Sequence, residues 1–189
     1  MACYAVIQDS KEIMGIVKYL ADMFRYAVKT NLEEVTIVNE LKHVLNYMMI
    51  MNYRTGWDFE IDVIIPPEYL LRNMVRLTLQ PHVENVFQHA FPDGLEPHHY
   101  IRIDAYIEDG EFIVTVEDNG VGMTNTRLNE LTEKLKLNKL LDLEPGHKGG
   151  IGLVNVHRRI QMVYGEAFGL SIESETLTRT RMLLRMPST

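Results

Sequence analysis

The sequence predicts an α+β fold: a two-layer α/β sandwich, with a mixed, largely antiparallel sheet and helices on one face, preceded by a helical N-terminal segment. Three observations predict it. Apolar residues recur at close to helical spacing through residues 10–29 and again from 36 to 52. After Gly56 the period becomes two, at Trp57, Phe59, Ile61 and Val63, and later at Ile101, Ile103, Ala105 and Ile107. Asp109-Gly110 then joins two alternating runs, and such a pair favours a two-residue hairpin between antiparallel strands. The boundary is expected at residue 55, between a helical segment (1–55) and the α+β unit (56–189).

In the first helix Ser10 is the candidate N-cap and Glu12 adds negative charge to the first turn. Ile13, Ile16, Val17, Leu20, Met23, Phe24 and Ala27 form a seam that can pack on this chain's core or on a second copy. Residues 30–34 break the pattern. Thr36 is the candidate cap of a second helix reaching about Asn52, with Val38, Leu41, Val44, Leu45, Met48 and Met51 on one face. The methionines there read as core filler. Pro66-Pro67 ends the first strand, and residues 68–76 read as a short helical turn. A helix over Leu79–Ala90 follows, with Pro81 in the first turn, where its missing N–H is not needed. Val83, Val86, Phe87 and Ala90 face the core. Phe91-Pro92-Asp93-Gly94 stops that helix. Phe112, Val114 and Val116 mark the returning strand of the hairpin. Leu128, Leu131, Leu135 and Leu137 suggest a helix over 126–142, followed by a loop to Gly150. A helix from Ile151 to Tyr164 is ended by Gly165. Phe168, Leu170 and Ile172, then Met182, Leu184 and Met186, give two closing strands.

Composition narrows the function. The 189 residues are 46% hydrophobic and 24% charged, enough for one generous domain or a domain with an appendage. A net charge of −7 argues against a nucleic-acid surface, which needs clustered Lys and Arg. No apolar run approaches the ~20 residues that span a bilayer, and no signal-peptide pattern follows Met1. The single Cys3 excludes an internal disulfide framework and fits a reducing, cytoplasmic compartment. No CxxC or HExxH spacing occurs, and the pair His98-His99 reads as a solvated loop.

Three segments carry chemistry. On the helix Leu79–Ala90, Asn85 and His89 share one stripe and Glu84 and Gln88 another, beside the apolar face. Asp118-Asn119-Gly120-Val121-Gly122 ends a strand. Asp/Asn-Gly is also a hairpin signal, but Met123-Thr124-Asn125-Thr126 does not continue as a strand, and the second glycine suits a close backbone approach. A carboxylate at that strand end can accept a hydrogen bond from an exocyclic amine. Gly149-Gly150-Ile151-Gly152-Leu153 enters a helix, where N–H groups and the helix dipole favour an anion. It is neither a Walker loop nor a Rossmann fingerprint. Lys148 either reaches a phosphate or is a solvated loop side chain. Together the segments suggest a helix facing a nucleotide, a strand end that reads a base and a glycine turn that holds phosphates.

In this order the segments resemble the catalytic ATP-binding domain of sensor histidine kinases, the Bergerat-type GHKL fold shared with gyrase B and MutL. Leu79-Gln80-Pro81-His82-Val83-Glu84-Asn85-Val86-Phe87-Gln88-His89 looks like the N box of the LytS/YesM-like kinases. Asp118-Asn119-Gly120-Val121-Gly122-Met123 is similar to the G1 box, and the stretch from Gly150 to Ile160, followed by Tyr164-Gly165, to the G2 segment. Upstream, Leu20 to Tyr26, Val35-Thr36 to Glu40-Leu41, Asn46-Tyr47 and Arg54 resemble the helical segment joining the phosphoacceptor helix to the ATPase domain.

The resemblance implies that residues 1–55 are a helical linker and dimerisation remnant and 56–189 the ATP-binding catalytic domain. It implies Mg²⁺ binding by Asn85, adenine reading by Asp118, and close backbone approach at Gly120, Gly122, Gly150 and Gly152. Glu84 takes the catalytic position, as a base or by ordering water and Mg²⁺. Gln88, His89, Met123, Lys148, Leu153 and Thr180 complete the implied ATP-binding set, and residues 124–148 the lid. The implied activity is transfer of the ATP γ-phosphoryl to a histidine upstream of this chain. The implied partners are a response regulator and a second copy joined through the N-terminal helices, with the complete protein anchored in the cell membrane. Three departures stand against this. Gln88 replaces the family's Lys or Arg, Arg179-Thr180 replaces its Gly-Thr, and the phosphoacceptor His-Phe motif is not in the sequence. Gln88 and Arg179 favour a rival reading, a degenerate nucleotide-binding or dimerisation module. A gyrase-type hydrolytic ATPase is the other rival, and the upstream helical match argues against it.

Overall fold

A computed structural model describes residues 2–28, 32–56, 61–96, 98–137 and 151–188. Helix α1 runs Ala2–Ala27. It starts well before Ser10, which therefore lies inside the helix and is not its cap; no Gly or Pro interrupts residues 2–14. Its seam is largely exposed, Val17 at 59% and Phe24 at 62%. Helix α2 runs Ile37–Thr55 and ends at Gly56, which is left-handed at φ 69° and donates its N–H to the Asn52 carbonyl. That cap lets the helix continue three residues past the predicted end at Asn52. The buried stripe of α2 holds Ile37, Leu41, Val44 and Met48 together with two polar residues, Glu40 and His43, whereas Leu45 is exposed.

Two short strands escaped the periodicity. Strand β1 (Glu34–Thr36) pairs antiparallel with β3 (Asn73–Val75). Of the helical turn predicted over 68–76 only Glu68 and Tyr69 are helical, in one 3₁₀ turn that starts at Pro67, before β3 begins. Three-residue strands are too short to show an alternation.

The main sheet contains β2 (Ile61–Ile64), β4 (Ile101–Glu108), β5 (Glu111–Asp118), β6 (Gly169–Glu175) and β7 (Arg179–Pro187), in the order β2-β4-β5-β7-β6. β2 lies parallel to β4, and the other pairs are antiparallel. The β4–β5 hairpin turns through Asp109 (φ 51°) and Gly110 (φ 80°), both left-handed as the Asp-Gly pair predicted. Trp57 and Phe59 lie outside the described residues. On the edge strand β2, Val63 is 45% exposed, so the predicted half-buried face is not formed there.

A parallel pair needs a crossover. Here the crossover carries α3 (Gln80–Asn85), which widens into a π-helical turn over Val86–Ala90. Helices α4 (Asn125–Leu137) and α5 (Ile151–Tyr164) complete the helical layer; the end of the predicted 126–142 helix lies outside the described residues. Val83 and Val86 of the crossover, Val156 and Ile160 of α5, and Ile103, Val114 and Leu184 of the sheet share one core, which also takes in Leu41 and Val44 of α2. On the opposite sheet face Ile113, Thr115 and Leu183 are buried as well. Tyr106 and Arg185 flank Ile113 in the ladder, and Arg181 reaches the Tyr106 hydroxyl at 3.3 Å. Long polar side chains thus cover that face.

Candidate functional site

The central helix packs Val83, Val86 and Ala90 inward and leaves its Asn85–His89 stripe along a cavity of about 300 Å³. π turns inside helices are frequent at functional sites, and this helix widens directly after Asn85. Asn85 Nδ2 donates to the Pro81 carbonyl at 2.6 Å. The side-chain oxygen is therefore left as the group that can serve a ligand.

The opposite wall comes from the end of β5. Asp118 is 3% exposed, and its Oδ1 accepts the Gly120 N–H at 3.0 Å. Burial raises its pKa to about 6, Glu117 adds to the rise, and the Gly120 bond opposes it. Asp118 pairs with Thr180 across β5 and β7, and both line the cavity. Met182, two residues along the same strand face, also lines it, as does Leu153 of α5. Gly122 stands at φ 61°, and a Cβ there would run into the Glu175 carbonyl. Met123, also on the wall, donates its N–H to Ser174 Oγ at 2.8 Å, and its carbonyl accepts from the Thr176 hydroxyl at 2.8 Å. These bonds seat the loop on the β6–β7 hairpin.

Of the residues singled out from the sequence, the cavity brings together Asn85, His89, Asp118, Gly122, Met123, Leu153 and Thr180. Four others lie elsewhere. Gly120 packs on the end of the π turn, where a Cβ would overlap the Ala90 carbonyl, and Val121 N–H bonds that carbonyl at 2.9 Å. Its missing side chain thus serves the approach of β5 to the crossover helix. Glu84 and Gly152 line a neighbouring groove of about 640 Å³ with Pro81, Arg158 and Arg159. The Glu84 carboxylate accepts from Gln80 at 2.6 Å. Gln88 is exposed and does not line the cavity. Lys148 and Gly150 lie outside the described residues.

The structure adds Thr124, Arg127 and Leu131 to the wall. Arg127 brings a cation into the cavity lining from the first turn of α4, with Glu130 at 3.5 Å. Nothing in a polar, weakly patterned helix marks that arginine beforehand. Beneath the site His82 is fully buried, its Nδ1 2.8 Å from Met182 Sδ, and Nε2 has no partner among the described residues. Burial, helped by Arg159, lowers its pKa to about 3, so the ring is neutral.

A two-layer sandwich thus carries a partly apolar cavity between its crossover helix and the end of β5. Residues 72–189 match the family model described as histidine kinase-, DNA gyrase B- and HSP90-like ATPase, and residues 1–59 match the histidine kinase model. The chain belongs to this histidine kinase-, DNA gyrase B- and HSP90-like ATPase family, and its domain is the ATP-binding one. It is 32% identical over 183 residues to the sensor histidine kinase YesM of Bacillus subtilis strain 168, covering 97% of this chain and 29% of that protein. With the sensor histidine kinase BtsS of Escherichia coli K12 it shares 29% over 184 residues, again 97% of this chain and 29% of the relative. The chain thus spans under a third of the length of these two relatives. Two solved structures share the fold, each at 16% identity. The histidine kinase domain of the Erythrobacter litoralis EL346 blue-light activated kinase has a TM-score of 0.52 over 96% of this chain and 81% of its own. The histidine kinase domain of the E. coli osmosensor EnvZ has 0.51 over 85% and 91%.

Proposed function

We propose that the chain is the catalytic part of a two-component sensor histidine kinase. It binds ATP with Mg²⁺ and presents the γ-phosphoryl to a histidine outside residues 1–189; a response regulator receives the group next. The observation that carries this is the convergence of Asn85 and Asp118, from a crossover helix and a strand end, on one cavity. Asp118 accepts from the adenine amine, and Gly122 and Met123 shape the wall beside it. The free Asn85 oxygen fits a hard cation. No cluster of three His, Cys, Asp or Glu suits a metal among the described residues, so such an ion would take its other ligands from phosphates and water. Mg²⁺, when bound, offsets phosphate charge. Arg127 adds a cation on the lid side. Glu84, one residue before Asn85 and facing the neighbouring groove, orders water or accepts a proton. Phosphoryl transfer depends mainly on positioning and charge, so glycines, one Asn and one Asp suffice as its signature.

The division at residue 55 belongs to this proposal, with 1–55 as linker and dimerisation segment. The exposed seam of α1 supports a second copy as its partner. No helix among the described residues is long and apolar enough to cross a membrane. The proposal places this part on the cytoplasmic side and assigns anchoring to other segments of the complete protein. The exposed Gln88 favours a second reading, a nucleotide-binding module without transfer. One experiment separates them. The full-length protein with ATP and Mg²⁺ is expected to acquire acid-labile phosphate, and residues 1–189 alone are not. Phosphohistidine on the isolated chain, at His89 or any other of its histidines, overturns the assignment of the acceptor. A full-length protein that binds ATP but stays unlabelled establishes the second reading.

A further inference from the structure

We propose that Glu40 is a positioning residue of the ATP site: its single buried carboxylate holds the entry to α3 and, through Tyr26, the last turn of α1. The proposal rests on the ATP-binding reading above. Glu40 is fully buried on α2. Its Oε1 accepts the Leu77 N–H at 2.7 Å and the Tyr26 hydroxyl. Its Oε2 accepts the N–H groups of Thr78 at 2.9 Å and Leu79 at 3.1 Å. A carboxylate so far from water is tolerated only when bonded in this way.

The anchored turn is a strained one. Leu77 has φ 57°, a left-handed conformation that a leucine seldom adopts. Its N–H is held by Glu40, and its carbonyl by Arg159 Nη2 at 2.7 Å. The carbonyl of the preceding Arg76 is held by Arg159 Nη1 at 3.1 Å. Helices α2 and α5 thus clamp from both sides the residue that directs the chain from β3 into α3. Asn85 lies six residues beyond Leu79, roughly 9 Å along a helix. Movement of the turn therefore moves the polar stripe at the cavity.

The same carboxylate ties in α1. The Tyr26 ring stacks on His43 with centroids 4.3 Å apart, and the Arg76 guanidinium sits 4.2 Å over it. Arg76 Nη1 donates to the Tyr26 carbonyl at 2.6 Å. Anchoring the turn requires only the three N–H bonds. The fourth, from Tyr26, makes Glu40 a link between the helical segment and the nucleotide.

The test is ATP calorimetry and amide hydrogen exchange on the full chain as wild type, Tyr26→Phe and Glu40→Gln. Tyr26→Phe keeps all three N–H bonds and removes only the contact from α1. It is expected to weaken ATP about threefold or more, the range of one hydrogen bond, and to speed exchange at Leu77, Thr78 and Leu79. Glu40→Gln leaves N–H groups unpaired and is expected to weaken ATP roughly tenfold or more. By reciprocity ATP is expected to slow exchange in the last turn of α1 in the wild type, and less so in Tyr26→Phe. A general loss of stability lowers the melting temperature without producing that coupling. Should Glu40→Gln not fold, Tyr26→Phe decides alone. Wild-type ATP affinity in Tyr26→Phe, with α1 exchange unaffected by ATP, overturns the link and leaves the ATP site standing. A wild-type chain that binds no ATP overturns both.

Discussion

Replacing Asp118 with Asn is expected to loosen adenosine and at the same time to relieve the unliganded protein. The asparagine can keep its Oδ1 on the Gly120 N–H, which now bonds at 3.0 Å. Its amide nitrogen then faces the cavity, donor against the donor of the adenine amine. An unsatisfied pair of this kind costs about 1–3 kcal/mol, roughly 5- to 150-fold in Kd. The gain in stability comes from the same burial. Asp118 rises from 3.8 to about 6, a difference of roughly 3 kcal/mol between ionised and neutral forms. The sign follows from proton uptake. The folded-state value lies above the unfolded one, so the favourable contribution of the protonated acid is complete below about 3.8 and is lost as pH rises through about 6. At neutral pH the wild type holds a desolvated carboxylate that the Asp118→Asn protein does not carry. The unpaired amide returns part of the gain, so pH dependence is the sharper readout. Between about pH 7.5 and about pH 5 the advantage of Asp118→Asn should fall by about 1.4 kcal/mol, some 3–6 °C in melting temperature. Calorimetry with adenosine, which has no phosphate to titrate, gives the affinity, and thermal melts at the two pH values give the stability. An unchanged adenosine Kd with a pH-independent difference in melting temperature would refute the assignment of Asp118 to the adenine amine and its raised pKa together.

Three further outcomes follow from the same geometry. Gly122→Ala should lower the melting temperature strongly, because its φ is positive and a Cβ has no room, whereas Gly152→Ala, which would meet only Pro81 Cβ at 3.8 Å, should melt like the wild type and reveal any role toward phosphate as weaker ATP binding alone. Gln88→Lys should tighten ATP a few-fold relative to adenosine at low salt and lose that gain at high salt, as an exposed charge does; equal ATP affinity in both proteins would remove Gln88 from the phosphate side.

The elements that build the cavity were legible where the chain repeats a period or places a turn signal. Alternation located β4, β5 and β7, Asp109-Gly110 located the hairpin, and Pro81 with Val83, Val86 and Ala90 located the crossover helix. The pairing of Asn85 with His89 on one stripe needed only helical spacing. The joining of Thr180 to Asp118 was implied by the resemblance alone, because it depends on the register of β5 against β7, which no local pattern encodes. The separation of Glu84 from Asn85, adjacent in sequence, follows from a helix turning about 100° per residue, with cavities on both sides. Glu40 entered only as part of the upstream match to the linker segment, and its bonding was not legible because its partners lie 14 and 37 to 39 positions away in the chain.

The cavity is assembled from residues as distant in sequence as Asn85, Asp118, Leu153 and Thr180, with no two of them on the same secondary-structure element. Such a site exists only after the parallel crossover and the three-strand β5–β7–β6 ladder have closed, so a partly folded chain has no nucleotide pocket to offer. Occupancy is then coupled to the whole folding equilibrium, and ATP at 100 times its Kd adds about 2.7 kcal/mol to the stability of every element that encloses it. A bound nucleotide therefore stabilises only the completed fold, and a partly folded chain gains nothing from it.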